Sequence, residues 1–224
     1  MADYRYTPFG AVVLTPAKKR RAYFAFHFDD IMRVNNVRNA WKIDHPDAPN
    51  NRSFLDSSLW ESQKLEGDDA LKRLIREGVE YSSAVCVLVG TETCRRRWVR
   101  YEVARSVIDR RGLLAVHING LNHHVRLRPC PLGENPLNYL GITKVQQNTL
   151  LRPTYRLVEW TSAGRWEYYA DHTTSVERPV YLRDPAPGQV VQLAEGSAVY
   201  DFTTARGHTN IGAWIDEAAK KVDR

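Results

Sequence analysis

Residues 84–90 read AVCVLVG, six apolar side chains in unbroken succession closed by a glycine. A strand with one wet face alternates apolar and polar residues, so a run without alternation belongs to a strand covered on both sides. Runs of the same kind recur on either side of it. Leu113 to Ile118 follows, Ala22 to His27 precedes, and Ser53-Phe54-Leu55 makes a shorter one. Between these runs the apolar period changes to that of a helix. Ile31, Val34, Val37 and Trp41 recur at spacings of three and four, with Asp29 or Asp30 placed to cap them. Leu71, Leu74, Ile75 and Gly78 share a face behind Asp68 or Asp69; Val99, Val103 and Val107 stripe a further helix, which Thr91 or Thr93 would cap and Gly112 would stop. Strand and helix in alternation predict an α/β fold, a parallel sheet with helices on both faces.

Beyond Gly120 the pattern is different. Pro129 to Pro136 reads as loop, Tyr155–Trp160 and Trp166–Tyr169 read as a β-hairpin across Thr161 to Arg165, and Asp184 to Gly188 is again loop. Asn210 is placed to cap a last helix with Ile211, Trp214, Ile215, Ala218 and Val222 on one face. The expected organisation is therefore an N-terminal flank over 1–21, an α/β domain over 22–145, and a C-terminal hairpin-and-helix extension over 146–224 packed on that domain.

Composition narrows the classes of function. No apolar run reaches the ~18 residues of a membrane span, and Ala11 to Leu14 is too short for a signal-peptide core, so a cytoplasmic protein with no membrane partner is expected. Cys86, Cys94 and Cys130 are odd in number and lack CxxC spacing, which predicts reduced thiols and neither a disulfide framework nor a metal site. The net charge of +6 raises nucleic acid as a partner. Yet Lys18 to Arg21 fits a solvated strand flank, and no recognition motif accompanies it, so nucleic acid is not expected.

In an open, wound sheet, ligands occupy the crevice beyond the carboxyl ends of the strands. The loops there carry His27 to Asp30, Asp56 to Glu61 and Thr91 to Trp98, with neither GxGxxG nor GxxxxGK[ST] among them. Trp98 and Glu102, four apart, share one helix face. A flat aromatic ring beside a carboxylate suits a sugar joined to a heteroaromatic cation: the ring stacks, and the anion supports positive charge developing at the anomeric carbon. NAD⁺ has such a bond between nicotinamide and ribose, and glycoside hydrolysis passes through a similar oxocarbenium-like state. The same residues also fit a core tryptophan and a surface glutamate paired with one of its arginine neighbours.

Trp98-Val99-Arg100-Tyr101-Glu102 is a WxxxE motif, and its setting resembles the TIR domains that cleave NAD⁺. The ordered set "YFAFHFDD", "RVNNVRNAW", "SLWES", "ALKRLI", "CVLVG", "RRWVRYE", "HING" and "NPLNYLG" is similar to the TIR-like ThsB family of Thoeris anti-phage systems. It is dense from Ala22 to Gly141 and continues thinly through "LVEW", "WEYY" and "SAVYDF". The resemblance implies a flavodoxin-like, TIR-type fold over 22–145 and a catalytic glutamate at Glu102. It also implies conversion of NAD⁺ to a cyclic ADP-ribose-type signal that activates a ThsA effector, NAD⁺ being substrate and neither metal nor a second cofactor being needed. Homo-oligomer formation on activation by a phage-derived trigger is implied too, with Asp56 to Gly67 covering a neighbour's substrate. Phe28, Asp29, Asn35, Trp60 and Trp98 are the candidate substrate-lining residues. Each has a structural alternative: Phe28 and Trp98 in the core, Asp29 as a cap, Asn35 solvated, and Trp60 anchoring its loop. His27 and His123-His124 have no required part in this chemistry, and Cys94 is expected to be structural.

Overall fold

The structure is a computed structural model that describes residues 4–6, 12–14, 20–44, 67–145 and 153–224. Its centre is a parallel sheet of β3 (Ala22–Phe26), β4 (Ala84–Val89), β5 (Gly112–His117) and β10 (Ala198–Asp201), in the order β10-β5-β4-β3. A two-stranded ribbon, β1 (Tyr4–Tyr6) with β2 (Val12–Leu14), precedes it. The strand expected at Ser53 to Leu55, the loop from Asp56 and Trp60 lie outside the described residues.

Alternation along β3 explains the layering. Ala22 and Phe24 face one side, where α1 (Ile31–Asp44) and α4 (Gly207–Lys220) close over Val34, Val37, Trp41, Ile211 and Ile215. Tyr23 and Ala25 face the other, covered by α2 (Asp68–Glu80) and α3 (Arg97–Ile108) through Leu71, Ile75, Val79, Val99, Val103 and Val107. Both faces are thus dry, as the unbroken apolar run in β4 requires; all six of its residues are buried.

A second, antiparallel sheet has the order β8-β7-β6-β9, from β6 (Leu140–Val145), β7 (Thr154–Trp160), β8 (Trp166–Tyr168) and β9 (Val190–Gln192). The expected hairpin is β7 with β8, their ends pinned by Trp160 against Trp166 at 5.5 Å. Leu140, Ile142, Leu157 and Val191 from this sheet join the same apolar cluster as α3. That helix is consequently enclosed on two sides.

The carboxy-terminal stretch does more than rest on the sheet: β10 is its edge strand, paired in parallel with β5, and α4 covers its face. The expected division at 145 falls between β6 and β7, which are hydrogen-bonded neighbours.

Local signals differ from expectation at the helix ends. Asp30 does not cap α1; a 3-10 turn over Phe28–Asp30 leads into it, and the buried Asp30 carboxylate pairs with Arg33 at 3.1 Å. Thr93 accepts from the Gly90 amide, so a 3-10 turn intervenes and α3 begins only at Arg97. The stop of α3 is Arg110 in the left-handed region at φ 53°, two residues ahead of Gly112. Gly112 starts β5, where an added Cβ would lie 2.3 Å from the Ala218 carbonyl oxygen of α4. Asn210 lies inside α4 and donates to Ala205 O, because the helix starts at Gly207. Among the described residues, no helix is long and apolar enough to cross a membrane.

Candidate active site

Starting α3 at Arg97 puts Trp98 in its first turn and Glu102 one turn further on. Enclosure of the helix between two sheets leaves little surface on it, and Glu102 is only 5% exposed. Its Oε1 accepts a hydrogen bond from the Tyr23 hydroxyl of β3 at 2.7 Å. The ring of Tyr23 reaches it by passing over α2 at Gly78, where a Cβ would stand 2.7 Å from Tyr23 Cε2. Three elements therefore set this contact: β3 supplies the donor, α3 the acceptor, and α2 the clearance.

Burial determines the electrostatics. It pushes the Glu102 carboxyl from an ordinary 4.5 up to about 8, against the opposing pull of the Tyr23 hydrogen bond. Burial likewise holds the Tyr23 hydroxyl well above its usual range, helped by the Glu102 charge and by the hydrogen bond itself. At neutral pH the pair is thus a phenol donating to a largely protonated acid. Residues with such shifted protonation equilibria concentrate at functional sites, though buried structural acids share the property.

Trp98 is half-buried at the margin of the same apolar cluster, edge-on to Tyr101 at 6.0 Å, with the Arg97 guanidinium 4.8 Å from its ring centroid. Arg97 also ties α3 to α2 through Asp68 at 2.6 Å, and reaches Asp171 at 3.5 Å. Asp171 holds Lys72 of α2 at 2.6 Å. Burial works to raise the Asp171 carboxyl, but Lys72 and Arg97 together bring it below the ordinary value.

The crevice at the carboxyl ends of the strands is a separate feature. A polar cavity of about 300 Å³ opens there between Asp29, Arg33, Glu92, His123 and Arg126. Of the expected lining residues Asp29 borders it. Phe28, 41% exposed, sits in the adjoining 3-10 turn, and Asn35 is half-buried on α1, accepting from Arg38 at 3.1 Å. Neither Trp98 nor Glu102 lines this cavity. The reason is geometric: α3 returns antiparallel to the strands, and five residues at about 1.5 Å each carry Glu102 down alongside the sheet. The sequence-predicted residues thus form two groups, Trp98 with Glu102 on α3 and Phe28, Asp29 and Asn35 along the β3–α1 segment.

Tyr23 was not among the candidates. Alternation along β3 put it on the α3 side, and a phenol buried in an apolar strand calls for a polar partner; that was the available signal. His27 borders the crevice, with burial and the Arg96 charge lowering its pKa. Cys94 is buried and donates to Glu134 Oε2 at 3.6 Å, in keeping with a structural thiol.

Residues 23–123 match the family described as "Thoeris protein ThsB, TIR-like domain". Across 207 residues the chain is 34% identical to a Bacillus cereus (strain MSX-D12) protein named "Putative cyclic ADP-D-ribose synthase ThsB1", an alignment covering 88% of this chain and 99% of that one.

Proposed function

We propose, since this chain belongs to the Thoeris ThsB TIR-like family, that it breaks the nicotinamide–ribose bond of NAD⁺ and closes the remaining ADP-ribose into a cyclic signal for a ThsA effector. Glu102 is the catalytic residue. The observation that carries this reading is its buried, proton-retaining carboxyl four residues beyond Trp98, in a chain so similar to one named for cyclic ADP-D-ribose synthesis.

The bonding electrons leave with nicotinamide, and the positive charge left at the ribose carbon is offset by Glu102 as carboxylate, with Trp98 packed against the sugar or the ring. A hydroxyl from the second ribose then attacks that carbon and gives up its proton to the Glu102 carboxylate, so the product has the mass of NAD⁺ less nicotinamide. Water in its place gives linear ADP-ribose, and excluding water favours closure. At neutral pH the resting acid is mostly neutral and engaged by Tyr23. A cationic pyridinium arriving beside it favours the carboxylate. Activation therefore has to open a route to Glu102, and assembly of copies on a phage-derived trigger, with Asp56 to Gly67 contributed by a neighbour, supplies one. Phe28, Asp29, Asn35 and Trp60 are the proposed outer contacts of the substrate, and no metal or second cofactor enters these steps.

Mass spectrometry of small molecules from infected cells expressing the wild type and Glu102→Gln tests the reading. A new species at NAD⁺ minus nicotinamide, absent from the variant, is expected; the same species at the same level in both removes Glu102 from its role.

One observation favours a second reading, a non-catalytic assembly module. Glu102 is shut off from solvent and hydrogen-bonded in the manner of a structural acid. That reading predicts assembly in infected cells with no NAD⁺-derived product from either protein.

A further inference from the structure

The far end of α3 holds an arrangement that the proposed chemistry does not use. The helix stops with Arg110 in the left-handed conformation at φ 53°, and the next amide, of Arg111, turns back to Ser106 O at 2.8 Å. This turn sends the two neighbouring guanidinium groups apart. Arg110 goes to the surface and pairs with Glu177 at 2.6 Å. Arg111 goes inward and is 8% exposed.

Its Nε has no hydrogen-bond partner, and no carboxylate among the described residues forms an ion pair with it. Burial lowers its pKa, and the strongest single charge acting on it is another cation, Arg224, which Asp109 and Glu80 oppose and Arg105 reinforces. Even so, an arginine stays charged, and buried charges are otherwise paired. Arg111 borders a cavity of about 240 Å³ that it shares with Ser106, Arg110, Arg178, Glu177 and Asp223. Of the two acids, Glu177 already neutralises Arg110. Arg178 is held in place by donating from Nη1 to the Leu182 carbonyl.

We propose that this cavity binds a phosphate or pyrophosphate group, with the Arg111 fork as its principal contact and Arg178 beside it. A guanidinium presents a planar fork of donors that matches oxyanions, and three arginines facing two carboxylates leave an excess of positive charge. The volume lies below the roughly 300–1,000 Å³ of pockets that enclose a drug-sized ligand, so the site takes the phosphate end of a metabolite and leaves the rest outside. It stands at the opposite end of α3 from Trp98 and owes nothing to turnover.

Calorimetric titration of the full chain tests this with inorganic pyrophosphate and, separately, ribose 5-phosphate, against sodium chloride at matched ionic strength. Saturable binding of pyrophosphate is expected, weakened at least tenfold in Arg111→Met and several-fold in Arg178→Met. Glu177→Gln, which releases Arg110, binds as tightly or more tightly. Ribose 5-phosphate binding as well as pyrophosphate identifies a phosphate ester as the ligand class; pyrophosphate alone identifies a free polyphosphate. Heats no larger than those of sodium chloride overturn the proposal, as does undiminished affinity in either arginine variant. Should Arg111→Met fail to fold, the half-buried Arg178 decides. Glu102→Gln is expected to bind pyrophosphate like the wild type, which separates failure of this site from failure of the NAD⁺ reading.

Discussion

The Tyr23 hydroxyl and Glu102 Oε1 stand 2.7 Å apart between β3 and α3, both side chains withdrawn from water. Folding raises the Glu102 carboxyl from 4.5 to about 8, so its favourable contribution is complete below pH 4.5 and is lost as pH rises through 8. Glu102→Gln has no such proton to lose. Its stability relative to the wild type is expected to increase by about 1 kcal/mol per pH unit between pH 5 and 8. Denaturant unfolding of both proteins at several pH values measures this. If the carboxylate is the working form, turnover of the activated wild type also climbs toward pH 8, while the variant stays at least a hundredfold lower throughout.

Tyr23→Phe keeps the ring and removes the donor. The hydrogen bond opposes the upward push on Glu102, so its loss moves the carboxyl higher still. The expected result is a stability loss of about 1 kcal/mol at pH 7, with the rising limb of the pH–rate profile displaced to more alkaline pH. A profile unmoved by the substitution detaches Tyr23 from the chemistry.

Gly78→Ala places a methyl group 2.7 Å from Cε2 of the buried Tyr23 ring. The ring has to shift or α2 has to lift, at a cost of about 1–3 kcal/mol. Because the same ring aims the hydroxyl at Glu102, the substitution should also alter the pH dependence described above. Thermal unfolding with a parallel pH series separates that effect from simple destabilisation.

Asp171 joins Lys72 of α2 to Arg97 of α3. Its carboxyl is lower in the folded chain than its ordinary 3.8, so the stabilisation is present above that value and is lost as pH falls through the folded one. Asp171→Asn is expected to cost about 1–2 kcal/mol at pH 7 and progressively less in acid below pH 4. Urea titrations at pH 7 and pH 3 compare the two.

How much of this was legible depended on how directly a side chain reports its own surroundings. The buried strands at Ala84–Val89 and Gly112–His117 declared themselves because a dry strand needs apolar residues at every position. By contrast, β9 and β10 have three and four residues and mix apolar with polar ones, so nothing local marks Val190 or Ala198 as sheet. Pairing with β6 and β5 makes them strands, and that is long-range information. For the site, spacing placed Trp98 and Glu102 on one helix face. Which way the face pointed depended on a second sheet that packs on α3, and β6, its contribution from Leu140–Val145, gave no sign in the local pattern. In sequence nothing distinguishes Arg111 from its neighbour Arg110; the left-handed turn at Arg110 is what separates their surroundings.

The edge position of β10 has a consequence for biogenesis. A nascent chain that has emerged only as far as His117 has one flank of β5 unzipped and the apolar layer beneath α4 uncovered, and both await segments translated much later. Open strand flanks and bare apolar layers recruit chaperones or neighbouring chains. A fragment cut at residue 123, where the match to the family ends, is therefore expected to come off the ribosome sticky and to be recovered from inclusion bodies.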